Sequence, residues 1–240
     1  MTYRRVFREN WLTRKPLREG VVSTFFLVAL LVGGTYLDFG ASPAAVFVRH
    51  EYWRAWTALF AHADLAHLLS NLVLFVPFSF ALTRHYSFAF FPLAGFLVGG
   101  LMNLLVLRAM PSEHTLVGAS GVVYWMGAAW VTLAFFVDRR ERPGKRILKA
   151  IGVSMLLFLP ETYRPEVSYY AHFLGYLSGV ASAAIYYRLF ADHFHAAEVY
   201  DRIPDFDPRL LAHSLFVELP DRCRSRRALA PVLYPTVTCS

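Results

Sequence analysis

Five polar side chains stand inside long apolar stretches of this 240-residue chain: His67, Asn71, Asn103, Ser120 and His172. Serine is a poor nucleophile at neutral pH and needs an adjacent base. Histidine has the ordinary pKa for that role. Ser120 sits in Gly118-Ala119-Ser120-Gly121, where glycines leave the hydroxyl uncovered and let backbone approach. A serine at a helix N-terminus also has free backbone N–H groups beside it, which an oxyanion needs. His67 and Asn71 are spaced i, i+4, so they share one helix face. Both can donate hydrogen bonds to a developing oxyanion. Tyr124 falls one turn after Ser120 on the same face, where it either stacks on the His172 ring or only packs. Each signal also has a plainer meaning. Small residues around a serine make helix-packing contacts in membranes, and buried His or Asn side chains glue helices together.

Other chemistries lack their residues. The centres of the apolar stretches hold no Asp, Glu, Lys or Arg, which argues against an ion-coupled pump, a voltage sensor or an aspartyl protease. His50 and Glu51 begin an H-E-x-x-H pattern, but Arg54 stands where its second histidine belongs. No acidic or thiolate partner accompanies His62, His67 or His172, and His193 and His195 fall in a polar tail, so no metal or other cofactor is expected. Cys223 and Cys239 lack zinc-ligand spacing and read as free thiols.

Apolar residues make up 56% of the chain and charged residues 17%, too few charges for an ordinary soluble domain. The chain therefore reads as an all-α polytopic membrane protein with the lipid bilayer as solvent. Six apolar segments are expected: Val21–Leu37, Leu65–Leu82, Phe88–Val106, Leu116–Val137, Ile147–Leu159 and Val167–Tyr187. Five fit a membrane span by length. Ile147–Leu159 does so only with Pro160 and its flanks at the interface. The first run is long for a signal peptide, and removing it would leave an odd helix count. Lys and Arg then fix the orientation. The alternate loops and termini on one side carry 20 of the 24, including six in the first 20 residues, and the other side carries four. The positive-inside rule places both termini in the cytoplasm. Charge at the ends of apolar runs is also no footprint for nucleic acid.

The expected organisation is a basic N-terminal segment (1–20), a six-helix membrane domain (21–190) and a partly disordered cytoplasmic tail (191–240). Leu210–Leu219 is a candidate amphipathic helix in that tail. The loop Asp38–Asp64 is rich in aromatics and reads as interfacial. With alternating directions, Ser120 and His172 each enter their segment from the outer face, about 6–9 Å deep at 1.5 Å per residue. Gly175 and Gly179 form a G-x-x-x-G that permits close helix approach beside His172. His62 precedes its segment and reads as an interfacial, structural residue.

Taken together these residues resemble the rhomboid intramembrane serine proteases, over about Arg49 to Tyr187. Trp53 and Arg54 resemble the Trp-Arg of that family's first loop. His62, His67 and Asn71 match its H-x-x-x-x-H-x-x-x-N. Gly118, Ser120 and Gly121 match its G-x-S-G. Ala171, His172, Gly175 and Gly179 match its A-H-x-x-G-x-x-x-G. The resemblance implies a six-helix bundle of the prokaryotic form in a bacterial cytoplasmic membrane. It implies Ser120 as nucleophile and His172 as general base, a dyad without an acid. His67, Asn71 and the Ser120 N–H would hold the oxyanion, and Tyr124 would pack on the catalytic histidine. The implied substrates are single-pass membrane proteins cut at a small residue near the outer end of an unstable helix, with no cofactor. One stretch departs from the family: Ser79 and Thr83 stand where many members carry Gly and Glu, and Pro77 is added. A catalytically silent rhomboid-like protein that binds membrane helices is the alternative, and a small transporter or metal binder a further one.

Overall fold

The computed structural model describes residues 3–13, 17–158 and 169–204. Cys223, Cys239, Pro160, Arg164, the start of the Val167–Tyr187 segment and the tail helix expected at Leu210–Leu219 lie outside the described residues. Among those described, seven α-helices follow in order: α1 (Leu17–Gly34), α2 (Arg54–Thr57), α3 (Leu65–His85), α4 (Gly95–Ala109), α5 (Ser120–Val137), α6 (Pro143–Phe158) and α7 (Tyr169–Ala196). They all fall in one compact unit, Phe7–Tyr200. The described chain is thus mostly helical. It departs from the all-helical expectation in a two-stranded sheet, β1 (Tyr3–Glu9) with β2 (Val199–Pro204). Both strands mix β-branched or aromatic residues with charges, a pattern that apolar-run reading passes over.

Leu65–His85, Ala89–Ala109 and Ser120–Val137 are long and apolar enough to cross a membrane, and Gly20–Gly34 is a shorter apolar helix. Large apolar side chains face outward on several helices: Phe25 and Phe26 on α1, Val73 on α3, Leu101 on α4, Met155 on α6 and Ile185 on α7. Such a surface suits hydrocarbon rather than water. The fifth apolar run lies on α6 as far as Phe158, its Leu159 falling outside the described residues, and its outward residues include Ile147, Leu148 and Ile151.

The core is built around α5. Trp125, Met126, Ala128, Ala129 and Leu133 are completely buried in it. Its largest partner is α7, and glycine sets that approach. A Cβ on Gly175 would lie 2.2 Å from the Gly121 carbonyl oxygen, and one on Gly179 2.4 Å from that of Trp125. Gly127 does the same for α6, since a Cβ there would meet Leu157 at 2.7 Å. Asn103 has a structural partner: its Nδ2 donates to the Ala55 carbonyl at 2.7 Å, tying α2 to α4. Ser79 is fully buried, and the Thr83 hydroxyl donates to the Ser79 carbonyl at 2.7 Å. A Cβ on Gly20 of α1 would touch Phe80 and Arg84 at 3.0 Å. The departure from the family pattern thus lies along the α1–α3 contact.

Candidate active site

Asp64 caps α3, its carboxylate accepting the His67 N–H at 2.7 Å. An N-cap of this kind satisfies an otherwise orphaned helix donor. His67 is thereby held in the first turn, and Asn71 follows one turn later on the same face. Asn71 is buried, at 7% exposure, and its Nδ2 has no hydrogen-bond partner among the described residues. A buried donor left unpaired costs about 1–3 kcal/mol, so it marks a place where an acceptor fits.

Against these two side chains lies the turn that leads into α5. Gly118 has φ +114°, a conformation reserved for glycine, and its N–H donates to the Ala58 carbonyl at 3.0 Å. A Cβ there would come within 2.8 Å of His67 Cε1, 2.9 Å of Nε2 and 3.7 Å of Asn71 Nδ2. The glycine is therefore required twice, by its backbone angle and by the imidazole pressed on it. Two residues on, Ser120 opens α5 with its N–H among the free donors of the first turn.

The other side of α5 meets α7. Gly121 faces the Ala171 carbonyl, and Gly175 is packed against the Gly121 carbonyl. The Tyr124 ring lies parallel to the His172 ring, with centroids 4.3 Å apart and planes within 6°. Both rings are buried. The Tyr124 hydroxyl donates to the Leu157 carbonyl at 2.5 Å, so α6 helps to hold the ring. Ser120 precedes Tyr124 by four residues, about 6 Å of helix rise. The structure thus brings His67, Asn71, Gly118, Ser120, Gly121, Tyr124, His172 and Gly175 together around one helix end. Gly179 lies one turn farther along α7 and serves the helix contact alone.

Trp53 and Arg54 belong to the first loop, while His62 adjoins the group through His67. Arg54 donates through its Nη1 to the carbonyls of Asp38 at 3.1 Å and Gly40 at 3.0 Å, and its Nε pairs with Glu51. Its guanidinium lies over the Trp53 ring at 4.7 Å. These contacts knit the first loop. Glu51 is taken up by Arg49 and Arg54, whose hydrogen bonds hold it below the ordinary carboxylate range. Among the described residues no group of three or more His, Cys, Asp or Glu side chains could hold a metal ion. His62 is buried, with 7% exposure, and its ring stands edge-on to His67. Burial, with His67 alongside, pushes its pKa down to about 4.

Two determinants of the site carry no side-chain signal in the sequence. One is the Ala58 carbonyl that seats Gly118. The other is a main-chain bridge between Ala41 and Leu116, with bonds of 3.0 and 2.7 Å, that fastens the first loop to the segment before α5.

The family model for the Rhomboid domain matches residues 49–189. The chain belongs to the rhomboid family. Rhomboid-like protease 3 of Toxoplasma gondii is 31% identical over 163 residues, which cover 66% of this chain and 60% of that protein. The rhomboid protein YdcA of Bacillus subtilis is 29% identical over 131 residues, 54% of this chain and 64% of that one. The chain therefore spans less than two thirds of either relative's length. No solved structure gave a significant match. The rhomboid domain is a polytopic membrane domain, and its matched region contains α2 to α6 and about three quarters of α7.

Proposed function

We infer that this rhomboid is an intramembrane serine endopeptidase in which Ser120 is the nucleophile and His172 the general base. One juxtaposition carries the reading. The glycine turn before Ser120 is pressed against His67 and Asn71, while the same end of α5 holds His172 by its stack on Tyr124. In the reaction His172 takes the Ser120 hydroxyl proton as Oγ attacks the scissile carbonyl carbon. The carbonyl oxygen becomes an oxyanion, held by the Ser120 N–H, Asn71 Nδ2–H and His67 Nε2–H. Collapse breaks the C–N bond, and the His172 imidazolium gives its proton to the leaving amine. Water, deprotonated by His172, then attacks the acyl-enzyme, releasing the new carboxylate and restoring Ser120. No acid residue is assigned to orient His172; the parallel Tyr124 ring takes that part.

The six spans in this reading are α1, α3, the kinked stretch Ala89–Ala109, α5, α6 and α7, with both termini in the cytoplasm. The excess of Lys and Arg on one set of loops and termini supports that orientation. Ser120 and His172 then open toward the outer face. Substrates are single-pass membrane proteins cut near the outer ends of their helices, and a bacterial cytoplasmic membrane is the proposed site. The test uses purified protein and a fluorescent fluorophosphonate. Wild type should label, and Ser120→Ala and His172→Ala should not, while both variants keep the helical content of wild type. Cleavage of a transmembrane substrate at the wild-type rate by either variant would end the assignment. Absence of labelling in the folded wild type would favour a silent helix-binding rhomboid.

A further inference from the structure

Thr35, His62 and His67 form a line from the end of α1 to the proposed oxyanion site, and the reaction above uses only the last. The line is built tightly. A Cβ on Gly34 would lie 2.4 Å from Phe60 Cβ, so the end of α1 is seated on the segment leading to His62. The Thr35 hydroxyl gives its single proton to the Leu31 carbonyl at 3.0 Å. Toward His62 Nδ1, 3.4 Å away, it can only accept. The Phe60 backbone also hydrogen-bonds the His62 ring. Nε2 is buried and has no hydrogen-bond partner among the described residues, so both bonds place the proton on Nδ1 and leave Nε2 an acceptor. The ring stands edge-on to His67, with centroids 5.2 Å apart and planes at 72°. On its far side His67 turns its Cε1–Nε2 edge toward Gly118.

We propose that His62 is a positioning residue: its bare Nε2, set by the Thr35 hydroxyl together with the Phe60 backbone, and His67 Nδ1 share one buried water, which keeps the His67 proton on Nε2. This rests on the reading of His67 as an oxyanion donor. A neutral imidazole has one N–H, and the bond made by one nitrogen decides which nitrogen carries it. Only the Nε2–H tautomer donates toward the Ser120 turn. Its Nδ1 is then an acceptor, and so is His62 Nε2. Two neighbouring acceptors that make no bond to each other are both satisfied by the two protons of one water, a common service of buried water. The opposite tautomer would aim a lone pair at the oxyanion.

The test reads the tautomer directly. Protein labelled with ¹⁵N-histidine is placed in bilayers, and His67 is assigned among the nine histidines by difference from His67→Gln. Wild type should show His67 protonated at Nε2 and bare at Nδ1. Thr35→Val keeps the shape but removes the acceptor. It should introduce the Nδ1–H form of His67 and lower kcat with KM unchanged, by no more than the roughly 10²–10³ that losing an oxyanion donor costs. Thr35→Ser should restore both. A wild-type His67 protonated at Nδ1, or a Thr35→Val protein with unchanged spectrum and kcat, overturns the proposal. The spectrum needs no substrate, so it is independent of the protease reading. Cleavage surviving in Ser120→Ala would sink that reading and leave the tautomer result standing.

Discussion

Replacing Gly175 by alanine is the sharpest perturbation of this site that leaves every polar group in place. The added methyl would start 2.2 Å from the Gly121 carbonyl oxygen and 3.1 Å from Tyr124 Cβ. An ordinary C···O contact is about 3.3 Å or more. The neighbour in the way is helix backbone and cannot swing aside. Relief requires α7 to move off α5 by about 1 Å at the level where His172 stacks on Tyr124. A misplacement of that size costs on the order of 10² in rate, and overpacking costs about 1–3 kcal/mol of stability. Alanine's better helix propensity returns at most about 1 kcal/mol. Gly152→Ala is the control, because nothing lies within 4 Å of its Cβ position. Both variants would be assayed for cleavage of a fluorogenic transmembrane peptide in bilayers and for thermal unfolding. Gly175→Ala should lose activity by about 10² and unfold earlier, while Gly152→Ala keeps wild-type turnover. A Gly175→Ala protein with wild-type kcat and melting temperature would refute the claim that this contact sets the position of His172.

Three further outcomes follow from named contacts. Asn71→Ala should lower kcat by roughly 10²–10³ with the fold intact, and steady-state kinetics beside circular dichroism checks both parts. Tyr124→Phe keeps the ring on His172 but deletes the bond to the Leu157 carbonyl; it should lose about 1 kcal/mol of stability in denaturation while fluorophosphonate labelling persists. His62 gives a pH dependence with a definite sign. Its folded pKa, about 4, lies below the ordinary 6.5, so the unfolded chain binds the extra proton over that interval. Stability from this group is fully present above pH 6.5 and falls as pH drops toward 4, by about 3 kcal/mol. Melting curves of wild type and His62→Phe across this range should converge in slope only above pH 6.5.

Helical periodicity made part of this site legible from residue types alone. The i, i+4 spacing put His67 and Asn71 on one face, and the structure sets both against Gly118. The four-residue spacing from Ser120 to Tyr124 and from Gly175 to Gly179 likewise needed no partner to be read. What stayed hidden runs through main-chain atoms or across long separations. The Ala58 carbonyl has no side-chain signature, and the Tyr124 hydroxyl meets a carbonyl 33 residues away. Asn103 shows the limit of polarity as a clue, since an amide inside an apolar helix serves equally to bind a neighbouring loop. Apolarity also measures lipid contact rather than helix length: α7 continues to Ala196 through His193 and His195, beyond the apolar run that ends near Tyr187.

The bridge between Ala41 and Leu116, with the Gly118 N–H on the Ala58 carbonyl, has a mechanical meaning. The first loop is fastened at two points, one on each side of Val117, just ahead of the serine. Neither fastening depends on a side chain that a substitution could remove. Displacing the loop alone would break three main-chain bonds at once, so loop and serine behave as one rigid part with a shared degree of freedom. The amides of Ala41, Leu116 and Gly118 should accordingly exchange with solvent deuterium as a set, at one common opening rate.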